Sequence, residues 1–343
     1  MKRLPSRWIY LPILIASMVT GGNFLTQHLQ EHAMHVMPAG LTSFKLTDPL
    51  PVCGRWKEHM PTTRDAATYR LYIEARKLWR SKIEWQLTRQ EAARILNDVG
   101  LAAERGDWGA LALMAYFYRE GLGPLPGNNV LKPDLDKSVA IVRQAAAAGL
   151  PWGLFDLGVA YEHGYGGAHY DKEIAWAYYL KAARLGSPEA QMTLADAYAG
   201  AGRLDDEDAM VQCAYQQGHG PAAFALGVDM RASKRDYKKA IVYFQNGIKF
   251  GNHDSADALS QLFEEGFWIT TRPEGKSALQ DMGIAADPER TKRYEAISNA
   301  LEINPDLKLT RLDQVLPLPP AKLPDWNGVS DAVEPEPSGP PTY

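Results

Sequence analysis

AWAYYLKAARLGSPEAQMTLADAYAGAG, residues Ala175–Gly202, carries a clear signal for the fold of this chain. It is rich in alanine, which has the highest helix propensity and a side chain small enough to let neighbouring helices pack closely. Gly186 followed by Pro188 indicates that one helix ends and another begins, because glycine is common just after a helix and proline in its first turn. The stretch therefore predicts two helices joined by a tight turn.

The same turn recurs along the chain. Five glycines end alanine-rich segments, at intervals of 43, 37, 32 and 33 residues that are typical of two-helix repeats: Gly106, Gly149, Gly186, Gly218 and Gly251. After each glycine, a small residue at position four and large residues at positions eight and twelve share one helical face. Because one helix pair cannot bury this stripe alone, the pairs must stack. The spacing predicts an all-α solenoid of helix-turn-helix repeats.

Two quoted units carry a family resemblance. WGLFDLGVAYEHGYGGAHYDKEIAWAYYLKAARLG and PAAFALGVDMRASKRDYKKAIVYFQNGIKFG resemble the SEL-one-like repeat, a relative of the tetratricopeptide repeat. The resemblance implies a repeat array over residues 89–286. It also implies a right-handed superhelix whose curved faces bind other proteins.

The segments that flank the array differ from it in composition. Residues 1–25 combine a basic start with an apolar run typical of an export signal, either cleaved or retained as a membrane anchor; a buried core helix is the alternative. The basic start favours a protein body outside the inner membrane. The other predicted segments are an irregular stretch (26–63), a capping helix (64–88), a C-terminal cap helix with a proline-rich extended segment (287–329) and a disordered tail (330–343).

Two cysteines, Cys53 and Cys213, are far apart in the sequence. An oxidising compartment would permit a disulfide between them. Alternatively, Cys213 is a small buried thiol, since it falls within a helical pattern. The sequence leaves both interpretations open.

Composition and motifs argue against several functions. A net charge of −4 and the lack of a nucleic-acid-binding motif predict no nucleic-acid partner. His28, Glu31 and His32 match an inverted zinc-protease pattern, with His35 nearby, but no further ligand is identifiable, so a polar stalk is the preferred interpretation. We expect no catalytic residue, metal or cofactor, and therefore no enzyme.

The candidate binding surface comes from the helical wheel. On the first helix of each pair, positions six and ten after the glycine lie off the packing stripe, yet several carry aromatic or methionine side chains with charged residues at the rim. Such a surface is typical of a protein interface. The alternative is that adjacent first helices bury the apolar members. The predicted partner-binding residues are Tyr116, Arg119, Phe155, Val159, Glu162, Met192, Asp196, Phe224, Val228 and Arg231.

A second resemblance concerns the whole chain. The cysteine-containing segment before RDAATYRLYIEARKL, the helical repeats and the closing VLPLPPAKLPDWNG resemble exported immunity proteins of type VI-secreted phospholipase toxins in Gram-negative bacteria. This resemblance implies a periplasmic protein, exported or anchored to the inner membrane and monomeric alone, that binds the toxin and covers its active site. An envelope scaffold or regulatory adaptor that recruits other proteins is the alternative.

Overall fold

A computed structural model describes residues 36–264 and 278–333. The predicted export segment (1–25) lies outside these ranges, as do His28, Glu31, His32 and His35. The described residues contain no β-strand, only an isolated bridge between Leu122 and Leu131. Their α-helices are α1 (Ala66–Trp79), α2 (Arg89–Glu104), α3 (Trp108–Glu120), α4 (Leu135–Ala147), α5 (Pro151–His163), α6 (Lys172–Arg184), α7 (Pro188–Gly200), α8 (Leu204–Tyr215), α9 (Gly220–Ala232), α10 (Tyr237–Lys249), α11 (His253–Phe263), α12 (Ala278–Met282), α13 (Pro288–Ile303) and α14 (Leu312–Val315).

Consecutive helices stack in a row. From α1 to α11 each helix packs on the next, and α13 packs on α11. The five glycines of the sequence pattern lie at the turns before α3, α5, α7, α9 and α11, and all have φ between 76 and 89°. The predicted all-α solenoid of helix-turn-helix repeats is confirmed.

Small residues bring the two helices of a repeat together. A Cβ atom on Gly158 of α5 would lie 2.6 Å from the ring of Tyr179 on α6, and one on Gly227 of α9 would lie 2.5 Å from the ring of Phe244 on α10. Both rings are buried, so each aromatic side chain rests directly on the backbone of its partner helix. The small residue nine positions after the repeat glycine therefore sets the spacing within the pair.

Polar side chains fix where most helices begin. Each accepts a hydrogen bond from a backbone N–H in the first turn, which would otherwise lack a partner within the helix. The capping residues are Asp65, Thr88, Asp107, Asp134, Asp171, Ser187, Asp236, Asn252 and Asp287.

Residues 36–63, called the strap below, pack across the repeats. Phe44 stacks on Trp176 of α6, with ring centroids 5.2 Å apart. The Gly54 carbonyl oxygen accepts a hydrogen bond from Gln191 of α7 at 3.2 Å. Within the strap, a short 3-10 helix (Trp56–His59) places Trp56 in the core, where only 4% of its surface is exposed. The irregular segment is therefore part of the folded body.

A disulfide joins the strap to the solenoid. Cys53 of the strap pairs with Cys213 of α8, with their Cα atoms 5.6 Å apart, within the range that disulfides require. Of the two interpretations that the sequence left open, the structure shows the disulfide. It closes a loop between residues 160 positions apart.

Buried ion pairs hold the N-terminal helix. Arg64, just before α1, forms two hydrogen bonds with the Asp107 carboxylate at 2.5 and 2.9 Å. Arg76 of α1 binds Asp306, beyond α13, at 2.6 and 2.8 Å. Burial alone would raise the pKa of the Asp306 carboxyl group. The hydrogen bonds and the positive charge of Arg76 outweigh this effect and lower the pKa. The two ends of the helical row are thus linked directly.

The segment after α13 packs on α10 and α13. Leu309, Leu312 and Leu316 are fully buried there. Part of it is helical, since it contains α14 and a 3-10 helix (Val329–Ala332). Ala332 is buried, so the packed part of the chain continues past residue 330, where the sequence analysis places the start of a disordered tail. Residues 334–343 lie outside the described residues.

None of the helices in the described ranges is both long enough and apolar enough to span a membrane.

We predict that the disulfide stabilises the fold. Cys213→Ser should lower the free energy of unfolding by about 2–5 kcal/mol, because the unfolded chain loses the constraint of a long closed loop. Urea unfolding with and without dithiothreitol measures this. The reductant should destabilise the parent protein and leave Cys53→Ser/Cys213→Ser unchanged; equal stability of oxidised and reduced parent protein would contradict the prediction.

Candidate functional site

The ten predicted partner-binding residues lie on four first helices, α3, α5, α7 and α9. The surface that carries them is called the first-helix face below. Two members lie on α3, three on α5, two on α7 and three on α9. Because these helices belong to consecutive repeats, the face crosses four units. Partner binding by these residues remains a prediction.

The apolar members of the face are half-buried. Phe155 packs on Tyr179 with ring centroids 5.4 Å apart, and Phe224 packs on Phe244 at 5.7 Å. Val159, Met192 and Val228 also pack against the buried clusters. Each side chain therefore contributes to the core and leaves part of its surface to solvent. The sequence left two alternatives, an exposed apolar surface or side chains buried between adjacent first helices. The structure shows an arrangement intermediate between the two.

Tyr116 and Asp196 are the exposed members. Tyr116 is 37% exposed, and its ring lies against Trp79 of α1 with centroids 5.5 Å apart. The Arg119 guanidinium lies 5.6 Å from the Tyr116 ring and pairs with Glu120 at 2.8 Å. This end of the face therefore presents an aromatic ring beside a cation.

Two further members are half-buried charged residues. Glu162 accepts a hydrogen bond from the Tyr179 hydroxyl at 2.6 Å. Burial and then this hydrogen bond raise the pKa of Tyr179. Glu162 therefore also helps to hold the aromatic residue on which Phe155 rests. At the α9 end of the face, burial lowers the pKa of Arg231.

The structure adds two carboxyl groups that the sequence analysis missed. Burial raises the pKa of Asp156 on α5 to about 6, with the Arg119 charge opposing the shift. Burial raises the pKa of Glu189 on α7 to about 8, and the Asp156 carboxylate adds to the shift. In the sequence, the only signal for Asp156 is its position between Phe155 and Leu157 in an apolar helix.

Acidic residues continue toward α9. Burial raises the pKa of Glu207, and the carboxylates of Asp208, Asp229 and Asp196 raise it further. Lys234 offsets part of this charge by pairing with Asp208 at 3.2 Å and Asp229 at 2.8 Å. Acidic residues of α7, α8 and α9 thus lie close together beside the first-helix face, and Lys234 offsets only part of their charge.

No group of three or more potential metal ligands occurs in the part of the chain that the structure describes. The acidic stretch at the start of α8 places Asp205, Asp206 and Glu207 in its first helical turn. There the helix dipole favours negative charge. Arg203 pairs with Asp206 at 2.5 Å.

Solved structures from Pseudomonas aeruginosa are similar to the chain over most of its length. P. aeruginosa 5086 (PA5086) is 29% identical with a TM-score of 0.63, and the match covers 80% of this chain and 96% of that one. Immunity protein Pa5087 is 27% identical with a TM-score of 0.61, and immunity protein PA5088 is 28% identical with a TM-score of 0.60. Both matches cover 78% of this chain and 94% of the other.

Two further comparisons complete these findings. A family model described as a domain of unknown function (DUF6396) matches residues 255–340. No curated protein matches the chain significantly. The chain is therefore a helical repeat protein that resembles P. aeruginosa immunity proteins, as the sequence indicated.

We predict that Glu189 makes stability depend on pH. Its folded-state pKa of about 8 lies above the ordinary value of 4.5, so the folded protein retains a proton that the unfolded chain releases, and stability falls as pH rises from about 5 to 8. Glu189→Gln should be more stable than the parent protein by about 1–2 kcal/mol at pH 8.5, less than full burial would give because the carboxyl is partly solvated.

Urea unfolding at several pH values measures this difference, which should shrink toward pH 5. Glu74→Gln, a substitution at an exposed position of α1, is the control and should follow the parent protein. A constant stability difference between Glu189→Gln and the parent protein across the pH range would contradict the prediction.

Proposed function

We propose that the chain is an immunity protein that binds a secreted effector and neutralises it by covering its active site. The observation that carries this proposal is the similarity to Pa5087 and PA5088, which extends over 78% of this chain and 94% of each of those proteins. A match of this extent covers most of the chain rather than one local motif.

Neutralisation of this kind requires a preformed surface and no chemistry from the inhibitor. A surface that is already ordered binds more tightly because less conformational entropy is lost on association. The strap, the Cys53–Cys213 disulfide and the Arg76–Asp306 ion pair all restrain the row of helices that carries the first-helix face. These contacts support a role as a rigid binding protein.

We further propose that the effector is a phospholipase-type toxin delivered by type VI secretion. The resemblance of the strap region and of the closing proline-rich segment to immunity proteins of such toxins supports this target. The mature protein would act in the periplasm, exported or held at the inner membrane by residues 1–25, and would be monomeric before it meets the effector. A disulfide between the chain's two cysteines supports an oxidising compartment.

The first-helix face is the surface that we propose for the effector. Its half-buried aromatic side chains offer contact area, and the exposed Asp196 carboxylate lies among Glu207, Asp208 and Asp229, whose charge Lys234 offsets only in part. An effector surface with lysine or arginine residues would supply the missing charge, which raises both specificity and association rate. The proposed complex therefore places a basic region of the effector on α5, α7 and α9.

Co-expression tests the function. Under this proposal, the gene beside that of this protein encodes a phospholipase-type effector, which should kill cells when directed to the periplasm, and the full chain should restore growth. Purified effector should lose lipase activity in proportion to the bound protein. Persistent toxicity and undiminished lipase activity would refute the proposed function and favour an envelope scaffold.

We predict that Asp196→Lys weakens effector binding at least tenfold, because it replaces an exposed carboxylate of the face with a repelling charge. Calorimetry at low ionic strength measures the affinity. Glu74→Lys makes the same charge change at an exposed position of α1, a helix that carries no member of the face, and should bind like the parent protein. Equal affinities of the two variants would show that the effector binds another surface.

A further inference from the structure

Arg80 carries a positive charge that no carboxylate of the described residues neutralises through a salt bridge. It is the C-cap residue of α1, and its guanidinium carbon lies 3.9 Å from the centroid of the Trp79 ring. Its Nε atom is buried and has no hydrogen-bond partner among the described residues. Burial lowers the pKa of Arg80, and the charge of Asp306 opposes the shift. Because the desolvation of a lone charge is costly, a buried guanidinium normally has an acidic partner.

The acidic residues around Arg80 are engaged with other groups. Both oxygens of Asp306 accept hydrogen bonds from Arg76, at 2.6 and 2.8 Å. One oxygen of Glu84 accepts a hydrogen bond from the Trp79 ring nitrogen at 3.2 Å, and the other accepts one at 2.9 Å from a backbone N–H of the loop after α3. A carboxylate for Arg80 must therefore come from another molecule.

The Arg80 side chain adjoins the α3 end of the first-helix face. Tyr116 of α3 and Arg80 both contact the Trp79 ring, so the two side chains share one neighbour. Tyr116 is 37% exposed, and the Arg119 guanidinium lies 5.6 Å from its ring. Arg80 as a whole is also partly exposed. A group that binds at this end of the face can therefore reach the Arg80 guanidinium.

We propose that Arg80 binds an aspartate or glutamate side chain of the effector. The Trp79 ring holds the guanidinium in place, and the planar set of N–H donors of arginine matches the two oxygens of a carboxylate. Arginine and tyrosine residues often contribute a large share of the binding energy of an interface, and here Arg80 and Tyr116 lie side by side. The inference rests on the proposed immunity function. It adds an order of charges to the bound effector surface, with an acidic residue at α3 and the basic region at α5, α7 and α9.

Calorimetry with the effector of the co-expression test measures the contribution of Arg80. Arg80→Met removes the charge and keeps an unbranched side chain that can cover the Trp79 ring, so it should weaken effector binding about tenfold or more. In the absence of the effector, its melting temperature should equal or exceed that of the parent protein, because no ion pair is lost. Arg70→Met removes an exposed arginine from the same helix and should change neither property.

A double-mutant cycle identifies the partner group. Neutralising one aspartate or glutamate of the effector should weaken its binding to the parent protein and have little effect on its binding to Arg80→Met. A lower melting temperature of Arg80→Met that accompanies the loss of binding would show a structural role for Arg80 and overturn the inference. The inference also fails, while the proposed function stands, if the effector binds Arg80→Met and the parent protein equally well.

Two further outcomes separate the remaining cases. If inorganic phosphate raises the melting temperature of the parent protein but not that of Arg80→Met, and no acidic effector residue couples to Arg80, the site takes a free anion and the inference is overturned. If the parent protein does not bind the effector at all, the proposed function fails, and this inference fails with it.

Discussion

The strap meets the turn at Gly186 backbone to backbone, and this contact holds the helical repeats in one arrangement. A Cβ atom on Gly186 would lie 2.2 Å from the backbone nitrogen of Trp56, so the two backbones meet with no room for a side chain. The same nitrogen donates to the Gln217 side chain at 2.9 Å, and the Trp56 ring lies edge-on to Trp108. One residue of the strap thus meets three repeat boundaries, those before α3, α7 and α9. It holds together units that would otherwise contact only their neighbours.

This constraint links the fold to the proposed function. Repeat proteins bend easily where successive units share only a local interface. A flexible surface of this kind loses conformational entropy when it binds a partner. The strap and its disulfide to α8 cross several units, and the Arg76–Asp306 pair joins the two ends of the row. The first-helix face therefore keeps one arrangement of its half-buried aromatic residues and carboxylates. A fixed arrangement suits a protein whose role is to occupy one effector.

The sequence predicted the solenoid because its signal is local. The glycine period and the stripe at positions four, eight and twelve report contacts within one or two repeats. The strap was visible only as an irregular, proline-rich segment, because its contacts join residues far apart in the chain. The 160-residue separation of Cys53 and Cys213 gives no local pattern, and the pairing stayed open until the structure placed their Cα atoms 5.6 Å apart. The Arg76–Asp306 pair was missed for the same reason.

The candidate surface shows a similar division. A helical wheel describes one isolated helix, so it could select Phe155 and Phe224 but could not show that Tyr179 and Phe244 cover part of each. Asp156 and Glu189 were missed because their raised pKa values come from burial between repeats, which no single helix reveals.

The stability of Gly186→Ala, compared with that of Gly149→Ala, measures how strongly the strap restrains the repeats. Both glycines have positive φ, 89° and 76°, so both substitutions carry backbone strain. Only Gly186 faces the strap, whereas a Cβ on Gly149 would have nothing within 4 Å. We expect Gly186→Ala to lose about 1–2 kcal/mol more free energy of unfolding than Gly149→Ala, because the strap backbone must move away. Equal losses would contradict the claim that the strap holds the repeats together.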